Sequence, residues 1–375
     1  MLIYWIALII TIFFSFIFAN ENIKIGKNRK ISYFRVFLSF LPLFLLALFR
    51  WNVGVDVVYQ TGYYYKAYYA IGNSLGNIFN YEPGFYYLMK TFSDLNLNIY
   101  IMYVFITIVF FFCFTKFIYK NVKNIAFGAI IFFLSDLYLF SFSTLRQSLG
   151  IALALYPISK IINNEFNYKN ILLWISIILS ISMHESILYL FIIVFLSKIK
   201  ISKRKLVIST FIILILSPFF QNIIIKIIQN FSYFNKYAGT NMFVSDFSIT
   251  YFSISLVLFI ISLINYKRIL KMNKNNYILI NICAFTTILM ANSKFLIMPY
   301  RIFPLFVPLY LVLCSRILES MNKKTYIYLF TYIYIVIPFF LLFINQYYIL
   351  GAKEYYKYKT IFNYHNQVWI TRKGA

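Results

Sequence analysis

The chain has 375 residues, of which 62% are hydrophobic, 22% aromatic and only 12% charged, with a formal net charge of +25. Soluble domains carry roughly 25% charged residues, so half that fraction over the whole length excludes an ordinary soluble protein. The pattern predicts an all-α polytopic integral membrane protein. Its basic residues fall mainly in short connectors between apolar runs, which ties them to topology and anionic headgroups and argues against nucleic-acid binding.

The first twenty residues, "MLIYWIALIITIFFSFIFAN", lack a basic leading region and a small-residue cleavage site, and read as a retained span. Apolar runs approaching the ~20 residues needed to cross a bilayer recur along the chain and predict about twelve transmembrane helices. They lie near 2–20, 33–49, 98–118, 125–142, 145–162, 170–183, 185–198, 206–222, 250–265, 277–292, 298–315 and 325–348. The stretch 84–93 is too short to cross and is expected to lie on the surface or re-enter. It belongs to a Tyr-rich extracytoplasmic loop over 50–97, with a second such loop over 223–249. Nothing reads as a linker or soluble appendage, so residues 1–375 are expected to form a single membrane domain. Cys113, Cys283 and Cys314 sit far apart within predicted spans, in no metal-binding or disulfide spacing.

The connectors 21–30 ("ENIKIGKNRK"), 116–123, 197–205 ("SKIKISKRK"), 266–276 ("YKRILKMNKNN") and 316–324 are strongly basic. The positive-inside rule places them in the cytoplasm and the alternate connectors outside. The basic tail over 350–375 fits this less well, since twelve spans would leave it outside. With this orientation Arg50, Asp56, Glu82, Arg146, His184, Glu185, Lys294 and Arg301 gather at the outer face. His365, in the tail, has no partner pattern and reads as a surface residue.

Arg146 and Gln147 stand in "SFSTLRQSLGIALALYP" (141–157), where a permanent charge needs a reason. A guanidinium in hydrocarbon costs at least ~2.5–3.5 kcal/mol. It can snorkel to the headgroups or capture phosphate through paired N–H donors. Arg50, Arg146 and Arg301 all run against the positive-inside rule, which favours an anionic, lipid-linked phosphate or pyrophosphate; Gln147 could add a hydrogen bond. His184, in "ILSISMHESILYLF", is a candidate general base because imidazole titrates near neutral pH. Its neighbour Glu185 points about 100° away on a helix, so the two need not touch. The loop 50–90 sets tyrosines, Tyr63 among them, between glycines and asparagines, with Asp56 and Glu82 as its acids. Flat apolar rings with hydrogen-bonding neighbours suit sugars, and they equally suit an interfacial aromatic belt. Phosphate-binding glycine loops, HExxH, GxSxG and DxD patterns are missing from the sequence, so no metal and no cofactor is expected.

Arg50, "GVD" (54–56), the Tyr-rich loop, "EPGF" (82–85), "LRQSLGIAL" (145–153), "MHES" (183–186) and "YRIF" (300–303) occur in an order that resembles the EpsG-type bacterial polysaccharide polymerases, relatives of the Wzy O-antigen and capsule polymerases. The likeness runs from about residue 45 to 305 along this chain. One departure is Val55, where the family commonly carries threonine.

The resemblance implies a glycosyltransferase of the bacterial cytoplasmic (inner) membrane whose active site faces the periplasm or outside. It would join undecaprenyl-pyrophosphate-linked repeat units into O-antigen, capsule or exopolysaccharide, with membrane lipids, a chain-length regulator and a flippase as partners. Arg146, helped by Arg50, Gln147 and Arg301, would hold the pyrophosphate. His184 would be the base, and Asp56, Glu82 and Tyr63 would bind sugar, with either acid able to replace the base. The alternatives are an O-antigen ligase or other lipid-linked sugar transferase, and a flippase or exporter of lipid-linked glycan. A ligase would be expected to carry a larger outer loop, and a transporter a charged midplane or an internal repeat.

Overall fold

The computed structural model describes residues 1–19, 32–57, 62–76, 80–229, 248–295, 299–350, 355 and 358–363. His365 and most of the predicted loop over 223–249 lie outside them. The chain divides into two units, one of residues 1–159, 166–188 and 343–375 and the other of 160–165 and 189–342. Among the described residues helices carry the whole fold. The extended backbone forms only an isolated antiparallel bridge between Arg50 and Thr360.

The first unit contains α1 (Leu2–Ala19), α2 (Tyr33–Ser39), α3 (Leu41–Leu48), α4 (Tyr63–Gly72), α5 (Pro83–Asp94), α6 (Ile99–Asn121), α7 (Ile125–Leu134), α8 (Leu137–Ser143), the body of α9 (Leu145–Ile162) and α10 (Ile171–Met183). Side chains of Asn98 and Asn124 accept the backbone N–H groups of Tyr100 and Phe127 and so cap α6 and α7. The span predicted over 125–142 is bent by 51° between α7 and α8. There Asp136 turns left-handed with φ 72°, and its carboxylate accepts the Tyr347 phenol.

Aromatic side chains fill the centre of this unit. Phe114 and Phe132 stack with ring centroids 4.0 Å apart, and Phe110, Phe111 and Tyr138 close around them. The Tyr138 hydroxyl donates to the Leu43 carbonyl at 3.0 Å, which satisfies its polar end inside the core. A second buried cluster underlies the Tyr-rich loop, where Tyr64, Tyr68, Tyr81 and Phe85 meet Tyr100, Tyr103 and Leu145. Helix α5 turns Phe85, Met89 and Ser93 inward at helical spacing. Much of the tyrosine expected to offer sugar-stacking faces is therefore structural. Tyr68 donates to the Leu97 carbonyl at 2.8 Å and Tyr100 to the Leu48 carbonyl at 2.6 Å.

The second unit contains α11 (Tyr189–Lys198), α12 (Lys203–Gln229), α13 (Ile249–Ile264), α14 (Tyr266–Met272), α15 (Tyr277–Ala291), α16 (Pro299–Glu319) and most of α17 (Tyr326–Ile344). The Tyr310 hydroxyl on α16 bonds Ser255 on α13 at 2.7 Å and Thr286 on α15 at 2.5 Å, linking three helices. Nearby, Tyr251 and Phe303 stack at 4.5 Å.

Helix occupies each predicted span, but fewer qualify as complete crossings. Among the described residues, four helices are long and apolar enough to span a membrane, or up to six if the α7–α8 and α13–α14 pairs each count as one. Helices α10 and α11, of 13 and 10 residues, fall short of the ~20 required alone. Large apolar side chains nevertheless face outward along whole helices, among them Phe219 at 78% and Phe330 at 58% exposure. Soluble monomers rarely carry such continuous apolar faces, and lipid accommodates them.

Two glycines set how closely the elements of the first unit approach. Gly54 has φ +109°, and a Cβ there would lie 3.0 Å from the Phe142 carbonyl oxygen. A Cβ at Gly84, in α5, would lie 2.3 Å from Ser182 Oγ on α10. By contrast, a Cβ at Gly128, inside α7, would meet its neighbours at an ordinary 3.5 Å or more. Gly84→Ala is expected to lower stability by about 2 kcal/mol through overpacking. Gly128→Ala is expected to raise it by about 0.5–1 kcal/mol through helix propensity. Thermal unfolding of the two variants in detergent, followed by circular dichroism, should move in opposite directions.

Candidate active site

The site grows from the segment before α5. Glu82 occupies the N-cap position, yet its carboxylate makes no bond to its own helix. Pro83 and Gly84 start the helix close against Ser182 and leave the carboxylate facing α9 and the end of α10. Glu82 Oε2 lies 2.5 Å from Arg146 Nη1, and Oε1 accepts the Glu185 backbone N–H at 3.4 Å. The side chain of Glu82 therefore ties α5, α9 and the break after α10 together.

Arg146 sits in the first turn of α9 with its guanidinium carbon 4.6 Å from the centroid of the Tyr81 ring. Its backbone N–H donates to the Tyr64 hydroxyl at 3.4 Å, and the guanidinium acts electrostatically on that phenol. Nε is buried and makes no hydrogen bond. A cation–π face on one side and a carboxylate at one edge fix the plane of the group. Tyr63 borders the site, packing edge-on to Tyr81 at 5.4 Å. Burial raises the phenol pKa of both Tyr64 and Tyr81, which keeps the two hydroxyls protonated at neutral pH.

Asp56 follows Gly54 in a short turn, and its backbone N–H donates to Ser143 Oγ at 3.4 Å. Its charge acts on the phenols of Tyr64, Tyr81 and Tyr103. Asp56 and Arg146 thus act on two of the same phenols, Tyr64 and Tyr81. Gln147, the next residue on α9, is buried.

His184 ends α10 in extended backbone and is buried. Its Nδ1 accepts the Ser186 backbone N–H at 3.1 Å and lies 2.8 Å from Ser186 Oγ. An imidazole that accepts at Nδ1 carries its proton on Nε2 when neutral. In this geometry His184 is a donor through Nε2, and the lone pair a general base would use is engaged.

Arg50 differs from Arg146. It is only 6% exposed; its Nη1 donates to the Ala47 carbonyl and, at 3.0 Å, to Thr107 Oγ1, and its guanidinium lies 4.5 Å from the Phe142 ring centroid. The neighbouring backbone is fixed by bonds from Trp51 N–H to the Lys359 carbonyl and from Ile361 N–H to the Phe49 carbonyl. These contacts describe an arginine that locks the end of α3. Arg301 belongs to the second unit, in the first turn of α16.

Sequence reasoning missed Tyr64, Tyr81 and Ser186. Tyr81 immediately precedes Glu82, but nothing in a run of tyrosines marks which of them will meet a cation.

Because the Glu82–Arg146 pair is largely withdrawn from water, removing one partner strands the other. Glu82→Ala is expected to cost about 3 kcal/mol. The double variant Glu82→Ala/Arg146→Leu should recover part of that loss. Unfolding midpoints of the single and double variants measure the coupling, and strictly additive losses would show that the pair does not stabilise the fold.

Searches of curated proteins and of solved structures each return no match. The family model of the EpsG family matches residues 33–360, a range that takes in α2 to α17 and every residue of the site. With apolar helices long enough to cross a membrane, this multi-pass membrane protein belongs to the EpsG family.

Proposed function

We propose that the protein is a polysaccharide polymerase that transfers a growing glycan from a polyprenyl pyrophosphate, the undecaprenyl form in bacteria, to the repeat unit on a second carrier. The observation that carries this reading is Arg146, oriented by Glu82 and Tyr81 and holding a buried Nε with no hydrogen-bond partner. Family membership gives the polysaccharide context. The topology we propose keeps about twelve predicted helices, with the basic connectors in the cytoplasm and the Arg146 end outside, facing flipped lipid-linked units in the inner membrane.

In the proposed reaction an acceptor hydroxyl oxygen attacks the anomeric carbon of the donor sugar. The bond from that carbon to the pyrophosphate oxygen breaks, and the pyrophosphate leaves with the electron pair. Arg146 stabilises the charge that grows on the departing phosphate. Such a phosphate competes with the Glu82 carboxylate for the guanidinium, so donor binding loosens the ion pair. Asp56 takes the acceptor proton, since His184 Nδ1 already accepts from Ser186. His184 Nε2–H then serves as a donor to a sugar or phosphate oxygen. Tyr63 offers an exposed ring at the border for sugar stacking. Gln147 supports the first turn of α9 from within the core.

Arg146→Lys keeps the charge beside Glu82 but loses the planar, two-donor edge. In a deletion strain complemented with this variant, polymer synthesis is expected to fall about a hundredfold, the scale for one lost electrostatic donor. Single repeat units should remain on the lipid carrier while wild-type protein restores full-length chains. Full-length polymer retained in the membrane of the deletion strain would instead identify a ligase or an exporter.

A further inference from the structure

Outside the proposed active site, the second unit holds a cavity of about 530 Å³. Three cationic side chains line it: Lys203 from the start of α12 and Lys267 and Arg268 from α14. Among the described residues none of the three forms an ion pair with a carboxylate; the nearest acid in sequence to this wall, Glu319, is paired with Arg316. The rest of the lining is largely apolar and includes Ile264, Ile327 and Tyr334, which are 73%, 61% and 62% exposed. The cavity lies where α13 and α14 meet at a 75° bend. That bend swings the cations of α14 out of line with the apolar body of α13. The Tyr266 hydroxyl, donating to the Ile201 carbonyl at 3.2 Å, fixes α14 beside the segment that leads into Lys203.

We propose that this cavity binds one anionic glycerophospholipid, with the phosphate between Lys203, Lys267 and Arg268 and an acyl chain along Ile264, Ile327 and Tyr334. A free phosphate would use the three cations and leave the exposed apolar wall in water. A zwitterionic lipid would use the wall but bring an ammonium group to a site already threefold positive. Only an anionic headgroup joined to a hydrocarbon chain satisfies both parts of the lining. The lipid would also neutralise a basic cluster that no carboxylate among the described residues pairs with. By the positive-inside rule it lies on the cytoplasmic leaflet.

The test uses the full-length protein in nanodiscs of phosphatidylcholine, titrated with phosphatidylglycerol and, separately, with inorganic phosphate. Native mass spectrometry counts retained lipid, and thermal unfolding follows stabilisation. The wild type should retain one phosphatidylglycerol and unfold at a higher temperature as that lipid is added, while inorganic phosphate alone should do neither. Removing two of the charges in Lys267→Gln/Arg268→Gln should weaken phosphatidylglycerol binding about thirtyfold, from the general strength of a basic side chain at an anionic surface. Lys271→Gln/Lys274→Gln removes equal charge outside the cavity lining and should leave the retained lipid in place. An equal loss in both pairs would overturn the proposal in favour of diffuse surface attraction. Stabilisation by inorganic phosphate alone would overturn the lipid assignment, and a wild type indifferent to phosphatidylglycerol would overturn the site without reference to any variant.

Discussion

A charge withdrawn from water has to be paired, and the Glu82–Arg146 contact is where the first unit meets that demand. The consequences extend beyond two side chains. Glu82 reaches Arg146 because α5 begins immediately after it and because Gly84 lets that helix approach Ser182. Its second oxygen holds the backbone at Glu185, where α10 gives way to extended chain. Arg146 in turn fixes the first turn of α9 against Tyr64 and Tyr81. Four stretches far apart in sequence are therefore registered by one ion pair and the aromatic rings beside it. In the proposed reaction the guanidinium keeps its place over Tyr81 while an incoming phosphate takes over the edge that Glu82 now holds.

Arg50 shows the other solution to a buried guanidinium. No carboxylate among the described residues pairs with it; a carbonyl, a threonine hydroxyl and the face of Phe142 surround it instead. Those neutral groups stabilise the cation less than a carboxylate does, but they require no second buried charge. The two arginines looked equivalent in the sequence, both at predicted outer ends of spans. Their environments separate them, one paired with a carboxylate and the other built into the end of α3.

The helical class was legible because it rests on hydropathy, which a one-dimensional window captures. Helix α9 falls on its predicted limits of 145–162, and the short helix expected near 84–93 runs from Pro83 to Asp94. Crossings were harder to count, because an apolar run shows that a helix is compatible with lipid but not whether it bends. The break at Asp136 depends on one left-handed residue and a phenol more than two hundred positions away. The ordered motifs correctly signalled the family over most of the chain. They could not tell the engaged Nδ1 of His184 from a free one, since that depends on the backbone turn at Ser186. Nor could they separate Tyr63, which borders the site, from Tyr68, which is buried under the loop.

Thr107, Thr115 and Ser255 each donate to a carbonyl four residues back, within their own helices. Each bond uses the hydroxyl proton within its own helix and leaves the oxygen for a partner elsewhere, as Thr107 accepts from Arg50 and Ser255 meets Tyr310. Polar contacts between distant segments then carry most of the positional information that apolar packing leaves loose. In the second unit that role falls to Tyr310, joining three helices through Ser255 and Thr286. In the first it falls to the groups around Arg50 and Arg146. A fold made almost entirely of apolar helices is thus specified at a few polar junctions, and the junction that joins a cation, neutral phenols and a carboxylate is the one on which the proposed chemistry rests.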